Sequence, residues 1–253
     1  MASSKSWQRI FDYYDINKHD FDKSPFEISA PEIKKACQNF TKTSEKEVRI
    51  LCKQDTREQR PHVFIKNGLF ILPIKNGKYK IIRGEGYVDL PPTDGDVTDY
   101  VSKITFPLDT STVGNSEMQH LDYAYASSMI RTFVNDDSLV LTIRGRKYTP
   151  EFQFNIGVHT IVTKSVQTEV DAGYEGKDRV VLIEAKNSKA TNTIIRQLYY
   201  PYRQWQEHTK KEVLTLFFEK EKDNQYHLSL FEFTDVMDYN SITLVDTKTY
   251  RLT

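Results

Sequence analysis

The strongest constraint in this 253-residue chain is a strand that reads as buried and then turns ionic before it ends. Residues 179–186 are RVVLIEAK, with Val180, Val181, Leu182 and Ile183 in an unbroken apolar run before Glu184 and Lys186. A run of that kind marks a strand covered on both faces. Residues two apart share a strand face, so Glu184 and Lys186 point the same way. Glu and Lys are rarely buried unless paired or functional. Upstream, VQTEVDA alternates and reads as a second strand, and GYEGKD supplies the turn. A two-residue loop at Lys177 and Asp178 pairs residues whose numbers sum to 355, which sets Asp171 opposite Glu184. Two carboxylates and an ammonium then crowd one end of one hairpin, and crowded carboxylates repel unless a cation lies between them. Hard oxygen donors so arranged suit Mg2+, which takes one or two carboxylates and keeps its waters. Lys186 beside them is placed to orient a water or to steady charge in phosphoryl chemistry.

Asp171, twelve intervening residues and then Glu184-Ala185-Lys186 resembles the motif of the PD-(D/E)xK nuclease superfamily. Val170 stands where that motif usually carries proline, its least regular element. Glu169, one pleat from Asp171 on the same face, is an alternative first carboxylate. The resemblance implies a metal-dependent phosphodiesterase with Asp171 and Glu184 as metal ligands, Lys186 as the catalytic lysine, and Mg2+ as cofactor with Mn2+ as its substitute. Residues 191–208 read as a helix carrying Gln197. Within it, QLYYPYRQW resembles the helix that follows the E-x-K strand in many restriction endonucleases, where Gln197 would support the geometry. Members of this superfamily often carry a glutamate on a helix ahead of the catalytic strands. Ser116 to Val134 reads as such a helix, and Glu117 in its first turn is the candidate; the alternative is a capping acid favoured by the helix dipole. The resemblance covers residues 117–206, and its motif core is Asp171, Glu184 and Lys186.

Hydrophobic residues make up 38% of the chain and aromatic residues 12%, enough for a packed core of one large or two small domains. No apolar run reaches about 18 residues, so no membrane helix is expected. The first residues, MASSKSWQRIFDYYDI, lack the apolar core of a secretory leader, and Cys37 and Cys52 read as reduced thiols, so the expected location is the cytoplasm. Histidine spacing suits no zinc site, and no phosphate-binding G-x-x-x-x-G-K-[ST] loop is present. The net charge of zero hides an asymmetry. Residues 41–83 hold eleven Lys/Arg against four Asp/Glu (+7), whereas residues 91–140 hold two against eight (−6). That distribution provides a basic face for phosphates beside an acidic region, or is a fluctuation along a solvated chain.

The N-terminal third reads as three helices and a hairpin. Residues 3–14 place Trp7, Ile10, Phe11 and Tyr14 on one stripe. Residues 26–40 form a second helix capped at Ser29, with Pro31 in the first turn. A third opens at Thr43 or Ser44 and runs through Glu45–Lys53. Two Asn-Gly pairs, 67–68 and 76–77, then sit between apolar runs, the strongest short hairpin signal. This is the order of a winged-helix module. In that reading the Glu45–Lys53 helix enters a major groove, with Arg49, Lys53, Arg57 and Arg60 near phosphates or bases, and the tip at Lys75 to Lys78 is the wing. The alternative is a lobe that merely braces the core. Asp89–Asp96 combines prolines, a glycine and acids and reads as the linker, dividing the chain into 1–92 and 93–253.

Beyond it, residues 139–143 read as a strand, and Arg144, Arg146 and Lys147 as a basic loop that either grips phosphates or solvates a turn. Residues 152–162 read as irregular, with His159 structural. Residues 212–218 and 226–233 read as strands extending the sheet, and 241–252 as an edge strand. The expectation is an α/β (α+β) fold: a PD-(D/E)xK-type mixed β-sheet flanked by helices, with an N-terminal winged-helix-like lobe. The expected function is that of a Mg2+-dependent type II restriction endonuclease acting on double-stranded DNA as a homodimer, alongside a cognate methyltransferase. A structure-specific repair or recombination nuclease of the same fold, a non-catalytic DNA-binding protein and a winged-helix regulator are the alternatives.

Overall fold

The computed structural model describes residues 2–93 and 95–253; Met1 and Asp94, the latter within the expected linker, lie outside the described residues. The fold is mixed α+β. The N-terminal part comprises α1 (Ala2–Tyr13), β1 (Phe26–Ser29), α2 (Ala30–Ala36), α3 (Thr43–Lys46), α4 (Val48–Leu51), α5 (His62–Lys66), β2 (Leu69–Lys75) and β3 (Lys78–Arg83). Its three strands form an antiparallel sheet in the order β1-β3-β2. Ser29 caps α2 in a full capping box with Glu32, and Pro31 sits in the first turn, as the sequence pattern indicates. Residues 26–29, however, are strand rather than helix.

The expected helix over Glu45–Lys53 is two single turns broken at Glu47, whose backbone is extended. Contacts from α1 hold both turns. Ser6 Oγ donates to the carbonyl of Glu45 at 2.6 Å, just before the break, and the buried Trp7 Nε1 donates to the carbonyl of Leu51 at 2.9 Å, where α4 ends. Carbonyls taken by side chains do not propagate a helix. Of the two Asn-Gly pairs, 76–77 turns the β2–β3 hairpin, with Gly77 at φ 71°. Asn67-Gly68 instead ends α5, with Gly68 at φ 63°, the left-handed conformation that closes many helices.

Residues 84–253 build the larger part: β4 (Tyr87–Asp89), β5 (Val97–Tyr100), α6 (Glu117–Ala126), α7 (Met129–Val134), β6 (Val140–Tyr148), β7 (Phe152–Ile156), β8 (His159–Thr163), β9 (Gln167–Glu175), β10 (Arg179–Lys186), β11 (Asn192–Ile194), α8 (Arg196–Gln206), β12 (Glu212–Lys220), β13 (Gln225–Phe233) and β14 (Ile242–Leu252). Seven strands form a mixed sheet in the order β5-β14-β13-β12-β10-β9-β6. β10 runs antiparallel to β9 and parallel to β12, with α8 in the crossover between β10 and β12.

Several expectations change here. The helix over 116–134 breaks after Ala126, because the Ser127 carbonyl accepts from the Tyr100 hydroxyl (2.9 Å) and the Lys103 amide (3.2 Å), and Ser128 turns to φ 65°. Arg144–Lys147 are part of the bulged edge strand β6, not a loop. Residues 152–163 are a regular hairpin. Residues 192–194 are a strand paired with β4, so the helix starts only at Arg196. β14 is paired on both sides, and β5 forms that edge of the sheet.

The cores explain how the parts are joined. Alternate residues of the β2–β3 hairpin face opposite ways. Leu69, Ile71 and Ile81 pack with Trp7, Phe11 and Phe64 in the N-terminal core, while Phe70, Leu72 and Ile82 pack with Phe154, Tyr200 and Tyr239 in the central one. The main sheet divides in the same way along β10. Val180 and Leu182 enter the central core beneath α8, and Val181, Ile183 and Ala185 face α6 and α7. Glu184 and Lys186 continue the α8 side of β10, at the point where the central core gives out.

Candidate active site

The β9–β10 register fixes the site. Val180, Val181, Leu182 and Ile183 pair with Glu175, Tyr174, Gly173 and Ala172, each pair summing to 355 as the two-residue loop requires. One step further the ladder opens, and the Asp171 side chain takes the place of a main-chain partner: its Oδ2 accepts the Ala185 amide at 2.8 Å. That bond pins the Asp171 carboxylate to the strand carrying Glu184 and Lys186. Lys186 Nζ donates to Glu184 Oε1 at 2.5 Å. Gln197, in the first turn of α8, donates to the same oxygen at 3.0 Å and is itself held by the Thr193 hydroxyl at 2.9 Å. Pro201 in α8 cannot donate to the Gln197 carbonyl, which leaves this turn of the helix looser over the site.

A cavity of about 370 Å³ opens here, lined by Glu117, Glu169, Asp171, Glu184, Lys186 and Gln197. Glu117 reaches it from the start of α6, where its Oε1 accepts the Asn187 amide at 3.3 Å, tying α6 to the end of β10. Glu169 faces it from β9, exposed and paired with Arg146 at 3.2 Å. Of the two alternative first carboxylates, Asp171 is therefore the one bonded to β10. Sequence reasoning missed Gln167, Thr168, Arg196 and Pro201, which complete the lining. The alternation of VQTEVDA contained a signal for Gln167, on the face of Glu169 and Asp171. Arg196 carried none beyond its place before Gln197.

Burial raises the pKa of Glu184 to about 7, with Asp171 and Asp55 adding to the shift and Lys186 opposing it. Asp171 is raised as well, chiefly by burial and then by Glu117 and Glu169, against the Ala185 amide and Lys186. Burial works against the Lys186 ammonium, but Glu184, Glu117 and Asp171 outweigh it and hold the pKa above the ordinary lysine value. The site therefore places more negative charge in low dielectric than its one lysine compensates. Such a set of hard oxygens attracts a small hard cation. Among the described residues, no group of three or more His, Cys, Asp or Glu side chains converges closely enough to hold a metal by itself, so water or substrate oxygens would complete any coordination.

The remaining candidates scatter. Arg57 and Arg60 are inward structural groups. Arg57 is paired with Asp89 and Glu85, its amide donates to Asn192 Oδ1 at 2.7 Å, and both guanidinium groups stack over Tyr87 at 5.9 and 5.1 Å. Arg144 is paired with Asp122 and donates to the Asp171 carbonyl at 3.2 Å. Lys53 lies 3.6 Å from Asp55, and Lys78 the same distance from Glu27. Arg49, Lys75 and Lys147 are exposed. His159 bonds the Phe21 carbonyl at 3.1 Å and is structural. Both cysteines are free.

Residues 82–251 match the model of a family described as a domain of unknown function, DUF6997. The chain belongs to that family. Residues 4–81 match a second domain of unknown function, DUF6996. No curated protein and no solved structure matches the chain. Asp171, Glu184, Lys186, Glu117 and Gln197 all lie inside the DUF6997 segment. The junction between the two matched segments falls inside β3, between Ile81 and Ile82, which face the two different cores. No helix among the described residues is long and apolar enough to cross a membrane.

Proposed function

We propose that the chain is a Mg2+-dependent DNA endonuclease of the PD-(D/E)xK type, and that it acts as a type II restriction enzyme. One observation carries the reading. A strand buried along its length ends in Glu184 and Lys186, with Asp171 bonded to its backbone and Gln197 holding the glutamate, all facing one cavity. A structural salt bridge needs neither the second carboxylate nor the open cavity.

Asp171 and Glu184 are the residues that would hold the ion, with Mn2+ as the substitute, and the oxygen donors and raised carboxylate pKa values fit it. When bound, Mg2+ supplies Lewis acidity and a lowered water pKa. The residues of the chain do the rest. The Ala185 amide and Gln197 fix the two carboxylates. The Lys186 ammonium hydrogen-bonds the attacking water or the phosphoryl oxygen and steadies the negative charge that develops there. The water oxygen bonds phosphorus as the bond to the 3′ oxygen breaks. Double-stranded DNA as substrate, a homodimer with one site per strand, a cytoplasmic location and a separate cognate methyltransferase belong to the same proposal.

A second reading, a structure-specific repair or recombination nuclease, is favoured by one finding. The helix that would read bases is broken at Glu47, and Arg57 and Arg60 are used internally. Incubating unmethylated phage DNA with wild-type and Lys186→Ala protein, in Mg2+ and in EDTA, tests both. Discrete fragments that need metal and vanish in the variant support the restriction reading. Cutting of branched but not linear duplexes supports the second, and intact DNA of every form sinks the catalytic proposal.

A further inference from the structure

Arg196 is the cation in the cavity wall that the proposed chemistry leaves unused. Lys186 is held by Glu184 at 2.5 Å, whereas the Arg196 guanidinium lines the same cavity and approaches Asp55 at a loose 3.8 Å. Both Arg196 and Asp55 side chains are largely covered, at 22% and 15% exposure, so their pairing lies out of bulk water. Asp55 belongs to the other part of the molecule. It sits in the 54–60 segment, whose contacts run straight to the start of α8. The Asp55 carbonyl accepts the Ile194 amide at 2.8 Å, and Asn192 is gripped by the Arg57 amide (2.7 Å) and by Glu58 (3.0 Å). The Asp55 carboxylate also lies 3.6 Å from the exposed Lys53.

We propose that Arg196 is a phosphate-binding residue of this cavity and that Asp55 is its resting partner, so that filling the cavity with a phosphate and freeing the Asp55 carboxylate from α8 are linked. A guanidinium grips two phosphoryl oxygens at once, which no contact at 3.8 Å to a single carboxylate oxygen matches. An incoming phosphate therefore wins Arg196 from Asp55. The released Asp55 keeps Lys53 as its neighbour, so its charge stays compensated. By reciprocity, whatever draws Asp55 away from Arg196 tightens phosphate binding to the same degree. This inference rests on the phosphodiesterase reading for its biological substrate, but not for its test.

Inorganic phosphate is titrated into the full chain by calorimetry in the presence of Mg2+, for wild type, Arg196→Ala, Arg196→Lys, Asp55→Asn and the Asp55→Asn/Arg196→Ala double variant, with melting temperatures confirming that each is folded. Arg196→Ala should weaken binding about tenfold or more, the scale of a lost charged hydrogen-bonding pair, and Arg196→Lys should restore part of it. Asp55→Asn should tighten binding severalfold, and only while Arg196 is present. Equal affinity for wild type and Arg196→Ala, an Asp55→Asn effect that persists without Arg196, or no phosphate binding by wild type would each overturn the proposal. DNA hydrolysis is read in parallel. Phosphate binding that depends on Arg196, without cleavage of any DNA, would keep this inference and sink the nuclease reading. Cleavage with phosphate affinity unchanged in Arg196→Ala would do the reverse.

Discussion

Charged residues in the two halves of this molecule meet different fates. In the N-terminal part, two arginines of the basic excess, Arg57 and Arg60, are turned inward, while most of the others stay exposed. Arg57 is clamped by Asp89, Glu85 and the carbonyl of Tyr87 at 3.2 Å, and Arg60 donates to the carbonyls of Arg57 and Leu69. In the C-terminal part a few charges at the end of β10 share one cavity, where each raised pKa records burial that its partners do not fully offset. The comparison separates two uses of ionic groups. A guanidinium such as that of Arg57, with two carboxylates and a carbonyl as partners, is a rivet. A carboxylate kept near neutrality by burial, with a lysine and an amide aimed at one of its oxygens, is a site under tension.

The contrast can be broken in four ways. The largest expected effect is on Lys186→Ala, which should cut hydrolysis by roughly 100- to 1,000-fold while the protein still folds; an active variant would reduce the cavity to a structural salt bridge. Next comes Glu219, fully buried on β12 opposite Lys186, whose pKa burial raises to about 7. A carboxyl whose folded pKa lies above its unfolded value contributes stability that is complete below the unfolded pKa and lost as pH rises through the folded one. Stability should therefore fall between about pH 4.5 and pH 7, by up to about 3 kcal/mol for this group, and Glu219→Gln should flatten that slope in denaturant titrations at several pH values. Third, Arg57→Ala should cost about 2 kcal/mol of stability, read by urea unfolding, because it strips partners from a quarter-exposed hub. A stable variant with weakened DNA binding would return Arg57 to the recognition surface. The smallest effect belongs to the exposed Lys147. Its replacement by Ala should change stability by less than about 0.5 kcal/mol, yet lower the salt dependence of DNA binding by about one ion.

What could be read from the sequence follows from how local each cause is. The β9–β10 register and the meeting of Asp171, Glu184 and Lys186 were readable because a two-residue turn and strand alternation fix them within twenty residues. Ser29 and Pro31 mark the start of α2 for the same reason. The two short turns around Glu47 were not readable, since the hydroxyl that takes the Glu45 carbonyl and the indole that takes the Leu51 carbonyl come from α1, about forty residues away. Nor was the β4–β11 ladder, whose strands lie about a hundred residues apart and each span only three residues. Asn67-Gly68 shows the limit of a local signal, since the same dipeptide that turns a hairpin at 76–77 closes a helix when a helix precedes it. The inward contacts of Arg57 and Arg60 were not readable because charge alone does not reveal the Tyr87 ring and the carbonyls that both meet, nor the Asp89 and Glu85 carboxylates beside Arg57.

The β2–β3 hairpin, dry on both faces, has a consequence for how the molecule comes apart. It lies almost wholly in the first matched segment, yet half of its buried side chains pack in the core of the second. Separation anywhere between Leu69 and Arg83 would bare Leu69, Ile71 and Ile81 on one side or Phe70, Leu72 and Ile82 on the other. Several buried aliphatic and aromatic side chains, each worth about 1.5–3 kcal/mol, make that exposure comparable to the whole stability of an ordinary domain. The two segments should therefore melt together in one calorimetric transition, and a protease that clips this hairpin should destroy both at once rather than release a working half.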